Sequence, residues 1–405
     1  MNLAQDIADN HFIIWLNSNN DELPSYLSVG CQREIAALPS QNGFDILEQA
    51  HNEKPSWLFG YLGYDLKNDV EDLQSFNPDP IGAPKLRFVE PESLFIKTHG
   101  AWKAEYDNLG LGTAFAEWLE NPNSQFGNNF PIELTPRITK NQYLNDIHHL
   151  QSHIQHGDIY EINYCQEFYA NSIEINPLAV YHQLNRLTHT PFSAYAQFGN
   201  TYIMGGSPER FIKKEGDRLV SQPIKGTTKR SFNHAADQRL KQRLSKDPKE
   251  RAENIMITDL VRNDLSKVAT KGSVRVDELC GVYTFETVHQ MISTISATMR
   301  KEATWVDVLR HTFPMGSMTG APKIRAMQLI EQYEHSRRGI YSGAMGYITP
   351  QGDFDFNVVI RSLIYNAETQ YLSATVGGAI TSRSRPLKEY EECLLKADAL
   401  KKSLR

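Results

Sequence analysis

The sequence predicts an α+β fold, with largely antiparallel sheets packed by helices in an αβ sandwich. Strand-like and helix-like stretches come in mixed order, without the steady βαβ alternation that a parallel sheet requires. Two alternating runs, one at 353–365 and one ending in VGGAI at 376–380, flank a short turn at Asn366–Thr369. That spacing reads as a hairpin, a connection that joins antiparallel strands. The 405 residues are 40% apolar and 22% charged. A chain of this size and composition buries a large core without disulfides or a structural metal.

The elements follow in order. WLFGYLGYDL at 57–66 is aromatic and glycine-bearing, as in a strand with tight turns. The composition shifts at 121–137, NPNSQFGNNFPIELTPR, where Asn, Pro, Gly and Ser mark a linker. It separates a first region, 1–130, from a richer one at 138–400. Thr139 with Gln142 forms a capping-box pattern, and Tyr143, Ile147, Leu150 and Ile154 follow at helical spacing up to Gly157. In IYEINYCQEF (159–168) the apolar side holds Tyr160, Ile162, Tyr164 and Phe168, so a strand offers Glu161 and Asn163 on its other face. In DFDFNVVIRSLIY (353–365), Phe354, Phe356, Val358, Ile360 and Ile364 share one face, and Asp355, Asn357 and Arg361 the opposite one. Helices are expected at 247–263, with Asp247 as cap and Pro248 at the first helical position, at 321–334, and at 386–404.

The charge balance, 42 − 48 = −6, argues against nucleic acid or an anionic membrane as partner. No run of about 18 apolar residues predicts a membrane span, and MNLAQDIADN does not read as a signal peptide. The four cysteines, at 31, 165, 280 and 393, have no metal-type spacing. They read as reduced, buried thiols of a cytoplasmic protein.

Four segments stand out chemically. GGSPERF (205–211) sets Glu209 at a turn after a strand. QPIKGT (222–227) sets Lys225 between a strand-like run and a glycine. The helix DPKERAENIMITDLVRNDL carries more charge than one apolar stripe needs. FPMGSMTGAPKIRAMQLI (313–330) is a glycine-bearing turn that opens a helix, a place where free backbone N–H groups suit an anion. Lys323 and Arg325 oppose the dipole of that helix, which is easier to understand if an anion or a buried acid pairs with them. Each segment alone also has an ordinary structural reading.

Together, SPERF, PIKGT, ERAENIMITDLVRNDL, GSMTGAPKIRAM, RRGIYSGAMGY, IRSL, VGGAI and EYEECLLKA, in this order, resemble the chorismate-utilising enzyme family. The resemblance covers roughly 138–400, which would make that region the chorismate-binding catalytic domain. It is weaker before, mainly through FGYLGYDL. It implies a dicarboxylate substrate, chorismate, and a Mg²⁺ ion held by Glu253 and Glu392, a thin ligand set that suits an ion completed by water and substrate oxygens. It implies that Arg361 meets the enolpyruvyl carboxylate, with Tyr341 and the backbone of Gly377, Gly378 and Ala379 nearby. Lys396 would lie near the ring carboxylate, Asn163 and Thr319 would also touch substrate, and Glu209 would be a general acid or base.

Lys225 points to one branch. PIKGT resembles the aminodeoxychorismate synthases, in which this lysine is proposed to attack ring C2 with loss of the 4-hydroxyl before ammonia enters at C4; anthranilate synthases usually carry alanine there. An attacking amine must be unprotonated, so a depressed pKa is expected for Lys225. Isochorismate and salicylate synthases place a water-activating lysine where Glu161 stands. No tryptophan-feedback LLES element occurs near the N-terminus, and no GxCxGxQ glutaminase elbow occurs in the chain, so a separate glutamine amidotransferase subunit would supply ammonia. An anthranilate synthase component, or an inactive chorismate-binding subunit, is the alternative. Where relatives have VxHLVS this chain has VHQMIST, putting Gln290 in the histidine's register and leaving His289 as a strand residue facing away.

Overall fold

The computed structural model describes residues 11–38, 40–121 and 131–405. The strand Phe12–Asn17 shows how the layers are built. Ile13, Ile14 and Trp15 are all buried, and neighbours on a strand point to opposite faces. Ile13 and Trp15 pack with Leu27, Phe95, Tyr195 and Met204 against Phe115, Tyr143, Leu184 and Ala397, which come from helices. Ile14 packs inward with Phe59, Phe88, Phe211 and Phe356 of a second sheet. One sheet is thus covered by helices outside and by the other sheet inside, which requires apolar side chains on both faces of its strands.

Two sheets form among the described residues. The first has 11 strands, running from Gly320–Ala321 at one edge through Glu161–Ala170, Tyr371–Thr381, Ser362–Asn366, Thr201–Ser207, Phe192–Phe198, Phe12–Asn17, Ser25–Val29 and Ser93–Thr98 to Ala101–Asp107, with Thr135–Pro136 beside Glu161–Ala170. The second has 10, running from Ile224–Lys229 through Val288–Thr298, Arg218–Gln222, Arg210–Glu215, Phe354–Val358, Ala344–Ile348, Leu58–Leu62 and Leu86–Glu90 to Arg33–Ala36, with Arg275–Thr284 beside Val288–Thr298. Every strand pairing among the described residues is antiparallel. Strands from the first 110 residues extend both sheets: Phe12–Asn17 pairs with Phe192–Phe198, and Leu58–Leu62 with Ala344–Ile348. Residues 122–130 of the expected linker lie outside the described residues.

The helix signals act as the sequence suggests. Thr139 accepts from the Gln142 N–H and starts Lys140–His156, which Gly157 ends in the left-handed region. Only half of the capping box forms, because the Gln142 side chain bonds Asp146 instead. Asp247 accepts from the N–H groups of Lys249 and Glu250 and opens Pro248–Ser266. The last helix is Pro386–Lys402. The expected helix 321–334 begins at Lys323, because Gly320 and Ala321 pair as a short strand with Ile162 and Glu161.

Two strand expectations are corrected. Tyr160 is 69% exposed; it precedes the strand Glu161–Ala170, where no layer covers it. The run 353–365 is two strands in different sheets, Phe354–Val358 and Ser362–Asn366. The chain crosses between sheets at 359–361, with Arg361 at φ 51 and its carbonyl bonded by Gly206. The alternating face therefore ends at Val358, and Ile360 and Arg361 turn toward a cavity instead. The thiols of Cys165, Cys280 and Cys393 are free and buried, and that of Cys31 is free and half-buried. No helix among the described residues is long and apolar enough to cross a membrane.

Candidate active site

A cavity of about 720 Å³ lies between Asn163 and Gly377 of the first sheet and Lys225 and Gln290 of the second. The helices Pro248–Ser266 and Pro386–Lys402 contribute Glu253 and Glu392 to its wall. Glu209, Tyr341, Arg361, Ala379 and Lys396 complete the set. Residues distant in sequence meet here because the cavity sits where strands leave one sheet for the other.

Glu209 stands on the turn between Thr201–Ser207 and Arg210–Glu215, and its carbonyl accepts from the Val358 N–H at 3.0 Å. Burial pushes its carboxyl up to about 7, against the opposing pull of Ser317, Lys225 and the backbone at Ile224. Burial, reinforced by the negative charge of Glu161, likewise raises Glu253 to about 7. Both carboxyls can therefore hold or release a proton near neutral pH.

Lys225 projects from a strand whose register shifts between Ile224 and Thr227. Its Nζ lies 3.2 Å from Glu161 Oε1, and the Glu161 side chain is 1% exposed. The expectation of a depressed lysine pKa is corrected. Burial pulls the ammonium down, but Glu161, Glu253 and Glu209 around it override that pull and hold it above its usual value. Three carboxylates stabilise one cation more than its desolvation destabilises it.

Arg361 is the converse case. Its guanidinium lines the cavity, and burial alone lowers its pKa. No acid or hydrogen-bond partner meets its side chain among the described residues, and a desolvated cation without an anion is costly. Beside it, the strand Tyr371–Thr381 pairs with Glu161–Ala170 from Leu372 to Thr381 but with Ser362–Asn366 only at 371–373. The other edge from Ala374 onward is left without a strand partner among the described residues. Thr375, Val376, Gly377 and Ala379 line the cavity along this stretch. A Cβ on Gly377 would meet Cys165 Sγ at 2.4 Å and the Tyr164 carbonyl at 2.8 Å, so only glycine fits this close approach. Lys396 donates to the Gly377 carbonyl at 2.9 Å and pairs with Glu392 at 2.9 Å.

Some expected residues stand behind the wall. Gly378 faces Lys396 and Glu389. Thr319 is fully buried, its hydroxyl bonded to the Met315 and Gly316 carbonyls and its own carbonyl taking the Asn163 N–H at 2.8 Å. Its part is to hold Asn163, not to face the cavity. The Asn163 amide donates to Cys165 Sγ at 3.3 Å, and the Cys165 Sγ is 3.9 Å from the Tyr341 hydroxyl. Gln290 faces the cavity with its Oε1 buried and unbonded, whereas His289 bonds Asp237 and Thr284 and does not line it. Lys323 finds the buried acid its placement called for, Asp264, 2.5 Å away. Arg325 only approaches the half-exposed Asp158, at 3.6 Å.

The sequence reasoning missed four contributors. Lys249 Nζ sits 3.7 Å from Glu253 Oε1 and 3.8 Å from Glu389 Oε1. Glu250 and Glu389 line the cavity, three residues before Glu253 and Glu392 respectively, so the (i, i+3) spacing on both helices was the available signal. Arg338 donates to the Asn163 carbonyl at 2.8 Å and the Met318 carbonyl at 2.6 Å, fixing the cavity floor. Among the described residues no three acidic, histidine or cysteine side chains converge on one point. The acids instead reach the cavity from two helices and are bridged by lysines.

The sequence profile of the family described as chorismate binding enzyme matches residues 12–402. The match runs through the first region as well, where the sequence itself shows mainly FGYLGYDL. Aminodeoxychorismate synthase of Streptomyces griseus is 41% identical over 418 residues, covering 98% of this chain and 54% of that protein. Anthranilate synthase component 1 of Thermus thermophilus is 33% identical over 360 residues, covering 86% of this chain and 77% of that one. The crystal structure of anthranilate synthase component I from Streptococcus pneumoniae superposes with a TM-score of 0.81 at 27% identity, covering 93% of this chain and 92% of that chain.

Proposed function

The chain belongs to the chorismate-binding enzyme family, and on that premise we propose that it is the chorismate-aminating component of an aminodeoxychorismate synthase. It would convert chorismate and ammonia to 4-amino-4-deoxychorismate and water, with a glutamine amidotransferase subunit supplying the ammonia. The observation that carries this reading is the Lys225 amine, which lines the same cavity as Arg361 and Glu209. The 41% identity to a relative named aminodeoxychorismate synthase, over nearly the whole chain, supports it. Relatives named component 1 support a second subunit.

Chorismate carries two carboxylates. The unpaired Arg361 guanidinium suits one of them as a two-point partner, beside the open strand edge at Thr375–Ala379. Lys225 Nζ would bond to ring C2 as the 4-hydroxyl leaves, with Glu209 giving that hydroxyl its proton so that it departs as water. Ammonia would then bond to C4 and expel the lysine from C2. Glu209 suits the acid role because burial keeps its proton up to about pH 7.

The carboxylates also fit a Mg²⁺ ion. Glu253 Oε1 is buried without a hydrogen-bond partner, Glu392 lines the same cavity, and carboxylate oxygens are the donors this ion prefers. When bound by Glu253 and Glu392, the ion would neutralise charge at the substrate's ring carboxylate.

A chromatographic product assay tests the proposal. Wild type and Lys225→Ala are incubated with chorismate, Mg²⁺ and an ammonium salt. The expected result is 4-amino-4-deoxychorismate from wild type, with loss of this product or a shift to anthranilate in the variant. Direct release of anthranilate and pyruvate by wild type would establish the second reading, an anthranilate synthase component, which the 33% identity to such a protein favours. No chorismate turnover in either would leave a binding subunit.

A further inference from the structure

We propose that Glu161 is the general base that takes a proton from Lys225 and so makes its amine nucleophilic. The inference rests on the aminating reading above and adds the group that activates the lysine. An ammonium nitrogen has no lone pair, so Lys225 can form a bond to carbon only after losing a proton.

The geometry assigns that proton to one acceptor. Glu161 Oε1 is 3.2 Å from Lys225 Nζ, within reach for transfer. The acids whose charges act on Lys225 are Glu161, Glu253 and Glu209. Of these, Glu161 alone is in ion-pair contact with it among the described residues. Glu209 is needed in its protonated form for the leaving hydroxyl, and Glu253 suits the cation. The second oxygen of Glu161, Oε2, is buried with no hydrogen-bond partner. The carboxylate therefore gives up little elsewhere when Oε1 takes a proton.

The backbone holds the base in place. Glu161 is paired on both sides, with Ala321 and with Thr381. Gly320, at φ 152, has no room for a Cβ, which would lie 2.2 Å from the Glu161 carbonyl. The backbone of Glu161 is thus fixed on both strand edges, and its side chain, 1% exposed, is shielded from solvent. That is the preorganisation a base needs.

The steps balance. Lys225–NH₃⁺ passes one proton to the Glu161 carboxylate, giving an amine and a carboxylic acid. The N–C2 bond forms, the C4–O bond breaks, and the oxygen leaves as water with the proton of Glu209. Ammonia then bonds to C4, the C2–N bond breaks, and the freed amine recovers its proton from Glu161. The ammonium at C4 returns one proton to Glu209. The sum is chorismate plus ammonia giving 4-amino-4-deoxychorismate plus water.

The test compares wild type, Glu161→Gln and Glu161→Asp at saturating chorismate, Mg²⁺ and ammonium from pH 6.5 to 10. Intact-mass measurement of the Lys225 adduct without ammonia is run in parallel. At pH 7.5, Glu161→Gln is expected to fall on the order of 100-fold below wild type in rate and in adduct formation, and its ratio to wild type at the same pH is expected to rise with pH as solvent replaces the base. Glu161→Asp is expected to fall about tenfold or less and to keep the wild-type pH profile, which reads the role even if the Gln variant folds poorly. If Glu161 only restrained the lysine as an ion pair, removing its charge would free the amine. A Glu161→Gln rate at pH 7.5 equal to or above wild type therefore overturns the proposal, as does an equal loss at every pH. Wild type making no 4-amino-4-deoxychorismate overturns the functional reading itself, and that outcome is visible before any Glu161 variant is compared.

Discussion

Replacing Arg361 with methionine should weaken chorismate binding while strengthening the fold. Most binding-site residues trade in the same direction, so the opposite signs are diagnostic. The Arg361 side chain is half-buried and faces the cavity, and burial alone lowers its pKa. It has no acid partner among the described residues, so whatever part of it is withdrawn from water is not compensated by the protein. A methionine of similar length would fill the same space without a charge. Both residues carry a Cβ, so the left-handed backbone at φ 51 costs the two proteins the same. The gain in stability should be about 1 kcal/mol, the low end of the penalty for an unsatisfied buried polar group, because the guanidinium still reaches the cavity. The loss in binding should be about 2–5 kcal/mol, the usual cost of truncating one partner of a buried charge pair. That is roughly 30-fold to a few thousand-fold in Kd. Calorimetric titration with chorismate measures the change in binding, and urea unfolding without ligand measures the change in stability. Unchanged affinity would show that no carboxylate meets Arg361. A loss of stability would show that the side chain has a structural partner and is not an uncompensated cation.

Stability should depend on pH through Glu209. Its folded carboxyl, at about 7, lies above the ordinary 4.5, so the folded state holds the proton more tightly than the unfolded chain. The stabilisation is full below about pH 4.5 and is lost as the pH rises through about 7. Between pH 5.5 and 8 this group should remove about 2 kcal/mol. Glu209→Gln, measured by urea unfolding with a chelator present, should flatten that decline and abolish turnover; an unchanged slope would refute the burial argument. Lys323→Met should destabilise the protein by about 3 kcal/mol, because Asp264 would stay buried with only the half-exposed Lys267 beside it, at 3.2 Å. Asp264→Asn in the same chain should recover much of the loss. A single-variant cost below about 1 kcal/mol would mean that the pair adds nothing net to stability.

The sequence alone carried the antiparallel α+β class, the caps at Thr139, Asp247 and Gly157, and the hairpin around Asn366–Thr369. Such signals are local: a side chain meets a backbone group a few residues away, or a face repeats every second residue. It also carried the ordered motifs that belong to a chorismate-binding enzyme, and so the names of Lys225, Glu209, Glu253, Arg361 and Glu392, which meet at the cavity. What the sequence could not decide depended on elements meeting from a distance. The alternation through 353–365 looked continuous, but the strand changes sheet at Arg361, and only the arrangement of two sheets makes that break visible. The pKa of Lys225 went the other way from expectation for the same reason. Burial can be anticipated from a motif, but the field at its nitrogen is the sum over Glu161, Glu209 and Glu253, which come from different elements. Charges add through space, not along the chain, so the sign of that sum belonged to the tertiary structure.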